Sequence, residues 1–252
     1  HDRKIQKSIK IGFKAEPFLR LIGLYQINDK PVIFYTNYAS YKKVLHIKAI
    51  LLNPETLQVE MSKEIKEMPL AEDDMSLIIT DNSDAIWRSP IRIKISQDSS
   101  KYLLIYAPEM SNITGKKNIT EAYFAVLDEE ANFIYDKIET YPHSKFSLVF
   151  NDFLLTHNGK IFSLFSVFEN RFTTENCRSY LRITETKGGK YREINLDKSV
   201  EVIRDANFLF RNKNDNNIEI IGTFSEESND KDFSGVYRLQ IDAQTETLKT
   251  LV

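Results

Sequence analysis

Three pairs of adjacent carboxylates, Asp73-Asp74, Glu129-Glu130 and Glu226-Glu227, are the side chains best suited to acid–base work in this chain. Glycoside cleavage sets two carboxyl groups about 5 to 10 Å apart across the scissile bond. Neighbours in a strand point to opposite faces, and Glu129-Glu130 falls in a tight turn, so the pairs read as solvated loop charge. The histidines show neither H-x-H nor H-E-x-x-H spacing: His46 sits in a strand, His143 in a crossover and His157 in a turn. That spacing predicts no zinc site. Asn214-Asp215-Asn216-Asn217 lacks the D-x-D-x-D-G ladder of a calcium loop. Cys177, the single cysteine, stands in the polar stretch Thr174-Glu175-Asn176-Cys177-Arg178, read as a loop without a base to activate the thiol. No Gly-rich phosphate loop and no G-x-S-x-G occurs. These residues predict no catalytic constellation, no metal and no cofactor.

What remains is binding, and a binding surface depends on the elements that carry it. The chain has 252 residues, 34 Lys+Arg against 36 Asp+Glu, and a net charge of −2. That balance gives no reason to expect nucleic acid or an anionic membrane as partner. The longest apolar runs, such as Ser163-Leu164-Phe165-Ser166-Val167-Phe168, are of strand length and far short of the roughly 20 residues of a spanning helix, so no membrane insertion is expected. Sixteen Phe and twelve Tyr against eight Gly suggest strands with aromatic faces. The opening His1-Asp2-Arg3-Lys4 reads as a processed or truncated start, or as following a tag remnant.

The strands repeat. Ile27-Asn28-Asp29-Lys30, Asp98-Ser99-Ser100-Lys101, His157-Asn158-Gly159-Lys160 and Lys213-Asn214-Asp215-Asn216-Asn217 each precede a β-rich run. Their residues tolerate the left-handed backbone of a tight hairpin. A second signature follows each time: apolar strands run into Asn53-Pro54-Glu55-Thr56, Asp128-Glu129-Glu130-Ala131-Asn132, Lys187-Gly188-Gly189-Lys190 and Asp242-Ala243-Gln244-Thr245. Each unit is thus strand, tight turn, strand, variable loop, strand, tight turn, strand, which is the pattern of a four-stranded antiparallel propeller blade. The units span about 17–69, 70–142, 143–200 and 201–252. Ser8-Ile9-Lys10-Ile11-Gly12-Phe13, within residues 1–16, reads as a closing strand or the end of a preceding blade. The expected fold is all-β, a β-propeller of four visible blades, alone or within a larger ring; the alternative is a twisted β-sandwich. Ser62-Lys63-Glu64-Ile65-Lys66-Glu67-Met68 is the best helical window and reads equally as an outer strand.

Ser96-x-Asp98-Ser99-x-Lys101 resembles the S-x-D-G-x-x turn of TolB-like and WD40-like propellers, with Ser99 in the glycine position. Gly235-Val236-Tyr237-Arg238-Leu239-Gln240-Ile241-Asp242 and the residues after it are similar to the blade endings of propeller proteins of Bacteroidota. The resemblance covers roughly residues 17–252 and implies an extracytoplasmic module, in the periplasm or at the cell surface. Asn112-Ile113-Thr114 and Asn118-Ile119-Thr120 match the glycosylation sequon, which a bacterial chain would carry by chance.

A propeller presents the ends of its crossovers around the channel mouth. Trp87 and Arg88, Asp152, and Arg204 and Asp205 fall there, and are the expected binding residues for a protein or carbohydrate partner, an aromatic platform with charged clamps. The competing reading packs Trp87 between blades and pairs the charges with one another. The expected function is a non-catalytic binding or scaffold module. The alternative is a propeller-fold glycan hydrolase or lyase with carboxylates from separate blades at the mouth.

Overall fold

The structure, a computed structural model, describes residues 19–39, 44–69, 91–107, 120–143, 148–168, 177–196, 202–209, 217–225 and 234–250. Among the described residues sixteen strands follow one another: β1 (Leu19–Ile27), β2 (Lys30–Ala39), β3 (Val44–Leu52), β4 (Val59–Pro69), β5 (Ile91–Ile95), β6 (Tyr102–Tyr106), β7 (Thr120–Leu127), β8 (Phe133–Tyr141), β9 (Leu148–Leu155), β10 (Lys160–Phe168), β11 (Cys177–Glu185), β12 (Tyr191–Asn195), β13 (Val202–Leu209), β14 (Asn217–Ser225), β15 (Gly235–Asp242) and β16 (Leu248–Thr250). They form four separate sheets of four consecutive antiparallel strands. The first strands of successive sheets lie beside one another, β1 with β5, β5 with β9 and β9 with β13. This is a β-propeller fold, and the two-sheet sandwich is excluded. The window at Ser62–Met68 lies in β4, the outer strand of the first blade. Cys177 is not in a loop: it opens β11, opposite Phe168, and is buried.

The turns explain why these residues make hairpins. Asn28 and Asp29 both have positive φ, 47° and 63°, as a two-residue turn between right-twisted strands requires. Ser99 takes φ 58° in the glycine position of its turn. The Ser96 hydroxyl donates to Asp98 at 2.7 Å and accepts from the Lys101 amide at 2.9 Å, tying the loop to itself. In the second turns Asn53, Asp128 and Asp242 each accept two downstream backbone amides on Oδ1, at 2.8 to 3.0 Å. These bonds let Asn and Asp stand in for a backbone turn.

Between blades the packing is largely apolar. Val32, Phe34, Ile47 and Ala49 of the first meet Tyr102, Leu104 and Ala125 of the second. Leu103, Ile105 and Phe124 then meet Phe153, Leu155 and Phe165. Phe162, Leu164 and Leu181 meet Ile218, Ile220 and Leu239. Alternation thus gives every sheet a leading face toward the blade before it and a trailing face toward the blade after it. Lysines at the end of the first turns reinforce this order. Lys30 bonds Glu129 at 3.2 Å, Lys101 reaches the His157 carbonyl at 3.5 Å, and Lys160 bonds Glu246 at 2.7 Å and the Ala243 carbonyl at 3.1 Å. The fourth blade has Asn217 at this position. The inner strands share a second device. The β1, β9 and β13 registers each slip by one residue, at Ile22, Asn151 and Arg204, and such bulges bend and twist a strand.

Candidate functional site

Trp87 and Arg88 lie outside the described residues, as do Asp73-Asp74 and Glu226-Glu227. Arg204 and Asp205 lie within β13 rather than in a crossover loop, Arg204 at the bulge; their side chains are outside the described set. Asp152 likewise lies inside β9, next to the bulged Asn151, and is buried. Its carboxylate meets Lys94 of β5 at 2.6 Å and accepts the Phe208 amide of β13 at 3.0 Å and its own Phe153 amide at 2.8 Å. One side chain thereby joins three blades. Arg92, two residues before Lys94 on the same face of β5, donates to the Phe150 and Asn151 carbonyls and lies over the Phe153 ring. The inner wall around Asp152 is a set of mutual interblade contacts.

The described carboxylates that could serve acid–base chemistry are engaged in the same way. The Asn28 amide and Lys30 hold the Glu129 carboxyl below the ordinary carboxylate range. Between the second and third blades Arg182, fully buried, donates to Glu193 and to the Thr140 carbonyl, lies 3.6 Å from Glu139, and stacks between the rings of Tyr141 and Tyr191. Burial raises the Glu139 carboxyl above its ordinary value, outweighing the Thr184 hydroxyl and the Arg182 charge, which both lower it. His143 rests against Phe165 and Tyr180, and burial depresses its basicity. These are groups that hold blades together.

The end faces differ. On the leading face of the first blade, Tyr35, Ile50 and Leu52 form an apolar cluster with Leu19 and Ile33. Leu21 and Leu24 of the edge strand β1 lie across from Tyr35 and Ile33 and are 60% and 65% exposed. In the third blade the corresponding residues, Phe150 across from Phe165 and Phe153 across from Ser163, are 5% and 2% exposed because the second blade covers them. On the trailing face of the fourth blade the positions equivalent to Phe162 and Leu164 hold Glu219 and Ile221, and Glu219 pairs with Arg238 across the sheet. At the outer end of the first blade's leading face, His46 stands with Glu64 and Glu67.

No family model matches the chain, and no curated protein matches it. Among solved structures it is similar to the β-propeller domain of the Trilobed protease from Pyrococcus furiosus, described as having an open velcro topology, with TM-score 0.46, 10% identity, and coverage of 95% of this chain and 58% of that one. Acylaminoacyl peptidase gives TM-score 0.47 and 10% identity over 94% of this chain and 33% of that one. Cobalt-substituted Synechocystis apocarotenoid oxygenase gives 0.44 and 10% over 88% and 46%. The chain spans less than two thirds of each of these structures. Likeness at this level concerns fold alone.

The spacing of residues gave access to the blades and their turns but to little of this. The Asp152 and Arg182 networks join residues from different blades, and no local pattern announces them. The lysines that end three first turns were visible in the repeat, and their periodicity was the one available sign of interblade contacts.

Proposed function

We propose that this chain is a non-catalytic binding module, acting outside the cytoplasm, that receives a protein partner on the leading face of its first blade. The observation that carries this reading is the exposure of Leu21 and Leu24 beside the Tyr35, Ile50 and Leu52 cluster, at positions that a neighbouring blade buries elsewhere. Exposed apolar groups on a rigid sheet favour association with another apolar surface. An aliphatic face suits a polypeptide better than a glycan, which calls for aromatic platforms and directed hydrogen bonds. The engagement of Asp152, Glu129, Glu139 and Glu219 in ion pairs supports binding over hydrolysis. The extracytoplasmic setting rests on the resemblance of the turns and blade endings to bacterial propeller proteins.

The test is capture of a partner from a cell-envelope extract, followed by its purification and titration against variants. Leu21→Asp with Leu24→Asp should weaken binding at least tenfold without changing the circular dichroism spectrum. Unaltered affinity in that variant, with loss instead in Trp87→Ala or Arg204→Ala, would move the contact to the channel rim. Release of reducing ends from glycans by the wild-type protein would replace the binding reading with hydrolysis.

A further inference from the structure

We infer that His46, Glu64 and Glu67 form a binding site for a Zn2+ ion on the first blade. His46 Nδ1 lies 3.2 Å from Glu64 Oε2 and 3.4 Å from Glu67 Oε1, and the three ligand atoms all fall within 4.8 Å of one another. Zinc takes imidazole nitrogen and carboxylate oxygen at about 2.0 to 2.2 Å in tetrahedral geometry, which separates neighbouring ligand atoms by roughly 3.4 Å. The two distances from the imidazole match that spacing.

The backbone explains how the ligands meet. Glu64 and Glu67 are three residues apart, and in a regular strand they would point to opposite faces. The β3–β4 register slips between Ile47 and Lys48, which pair with Lys66 and Glu64, so that Ile65 is the extra residue of a bulge. That insertion turns both carboxylates to the face carrying His46, which lies directly across from Glu67. The imidazole side chain is 14% exposed, whereas the two carboxylates are 47% and 57% exposed. A largely buried imidazole held by the sheet and two accessible carboxylates would leave a fourth position open to water, as in a three-ligand zinc site. One imidazole nitrogen among oxygens favours zinc over calcium or magnesium, which take all-oxygen shells. Lys48, across from Glu64, places a positive charge beside the site and moderates its affinity.

The test is titration of chelator-treated full chain with Zn2+ alone, read by calorimetry and by equilibrium dialysis, with Ca2+ as the control ion. One Zn2+ per chain should bind. His46→Ala, and separately Glu67→Gln, should each lower the affinity at least tenfold, while Cys177→Ser leaves it unchanged. Glu67 is exposed, so its variant keeps the test decisive if His46→Ala fails to fold. Absence of saturable Zn2+ binding to the wild type would overturn the proposal. So would full affinity in Glu67→Gln, or Ca2+ binding as tight as Zn2+.

Discussion

The leading face of the first blade and the trailing face of the fourth occupy corresponding ends of the stack, yet they are built from opposite chemistry. The first is aliphatic and aromatic, with Leu19, Ile33, Tyr35, Ile50 and Leu52 packed together and Leu21 and Leu24 exposed beside them. The fourth puts Glu219 where the third blade has Phe162, Arg238 where it has Leu181, and Gln240 where it has Ile183. It also carries Asn217 where the first three blades have Lys30, Lys101 and Lys160. A single hairpin design therefore yields sheets whose faces answer to what each must meet. An ion pair across a sheet face lowers its tendency to associate, as charges do on sheet edges. An aliphatic face keeps that tendency, which is the ground of the proposal that a partner docks on the first blade.

The contrast breaks most visibly at the arginines. Arg182 is fully buried between blades with Glu139 and Glu193, while Arg238 on the fourth blade's trailing face is 34% exposed in its side chain and its partner Glu219 4%. Removing one partner of a buried ion pair strands the other charge and costs about 3 to 5 kcal/mol. Arg182→Ala should lower the urea-unfolding free energy by that amount, and Arg238→Ala by clearly less. Equal losses would show that the two faces are equally sealed.

Leu164 and Ile221 sharpen the same comparison with aliphatic side chains. They hold equivalent hairpin positions, but Leu164 is 1% exposed and Ile221 37%. Truncating a well-packed core residue costs about 2 to 5 kcal/mol, partly through the cavity left behind. Leu164→Ala should fall in that range, whereas Ile221→Ala, already part-solvated, should cost about 1 kcal/mol or less. Comparable shifts in melting temperature would argue that the fourth blade's trailing face is covered.

The smallest effect concerns pH. Burial raises the Glu139 carboxyl above its ordinary value of 4.5, so folding favours its protonated form. That contribution is fully present below the unfolded value and is lost as pH rises through the folded one. The stability of the wild type relative to Glu139→Gln should therefore fall as pH increases above about 4.5 and then level off. Urea midpoints of both proteins across that range check the slope, and a rise in the wild type's relative stability would contradict it.

Much of the fold was written in the chain because its cues are local. Asn28-Asp29, Ser99 and Gly159 report a backbone that must turn left-handed, and the apolar run after each reports a strand. The candidate sites were less legible because they depend on residues that the chain keeps far apart or on a change of register. Asp152 looked like a rim charge from its sequence neighbours, but Lys94 and the Phe208 amide come from two other blades. His46 and the Glu64–Glu67 pair offered no ligand spacing, because a bulge at Ile65 alters which side chains share a face. The exposure of Leu21 and Leu24 was not legible either, since alternation tells which face a side chain joins and not whether anything covers it.

The lysine contacts give the stack a direction. Each of the first three blades reaches forward to the next through a lysine, and the fourth, which has Asn217 at that position, is reached through Glu246 and the Ala243 carbonyl. Where each unit is steadied mainly by its neighbours, a blade that lacks this lysine, as the fourth does, should open more readily than those that carry it. Local opening should thus begin with β14, β15 and β16 and travel backward. The amide protons of the fourth blade would exchange with solvent before those of the third, while the first blade stayed folded.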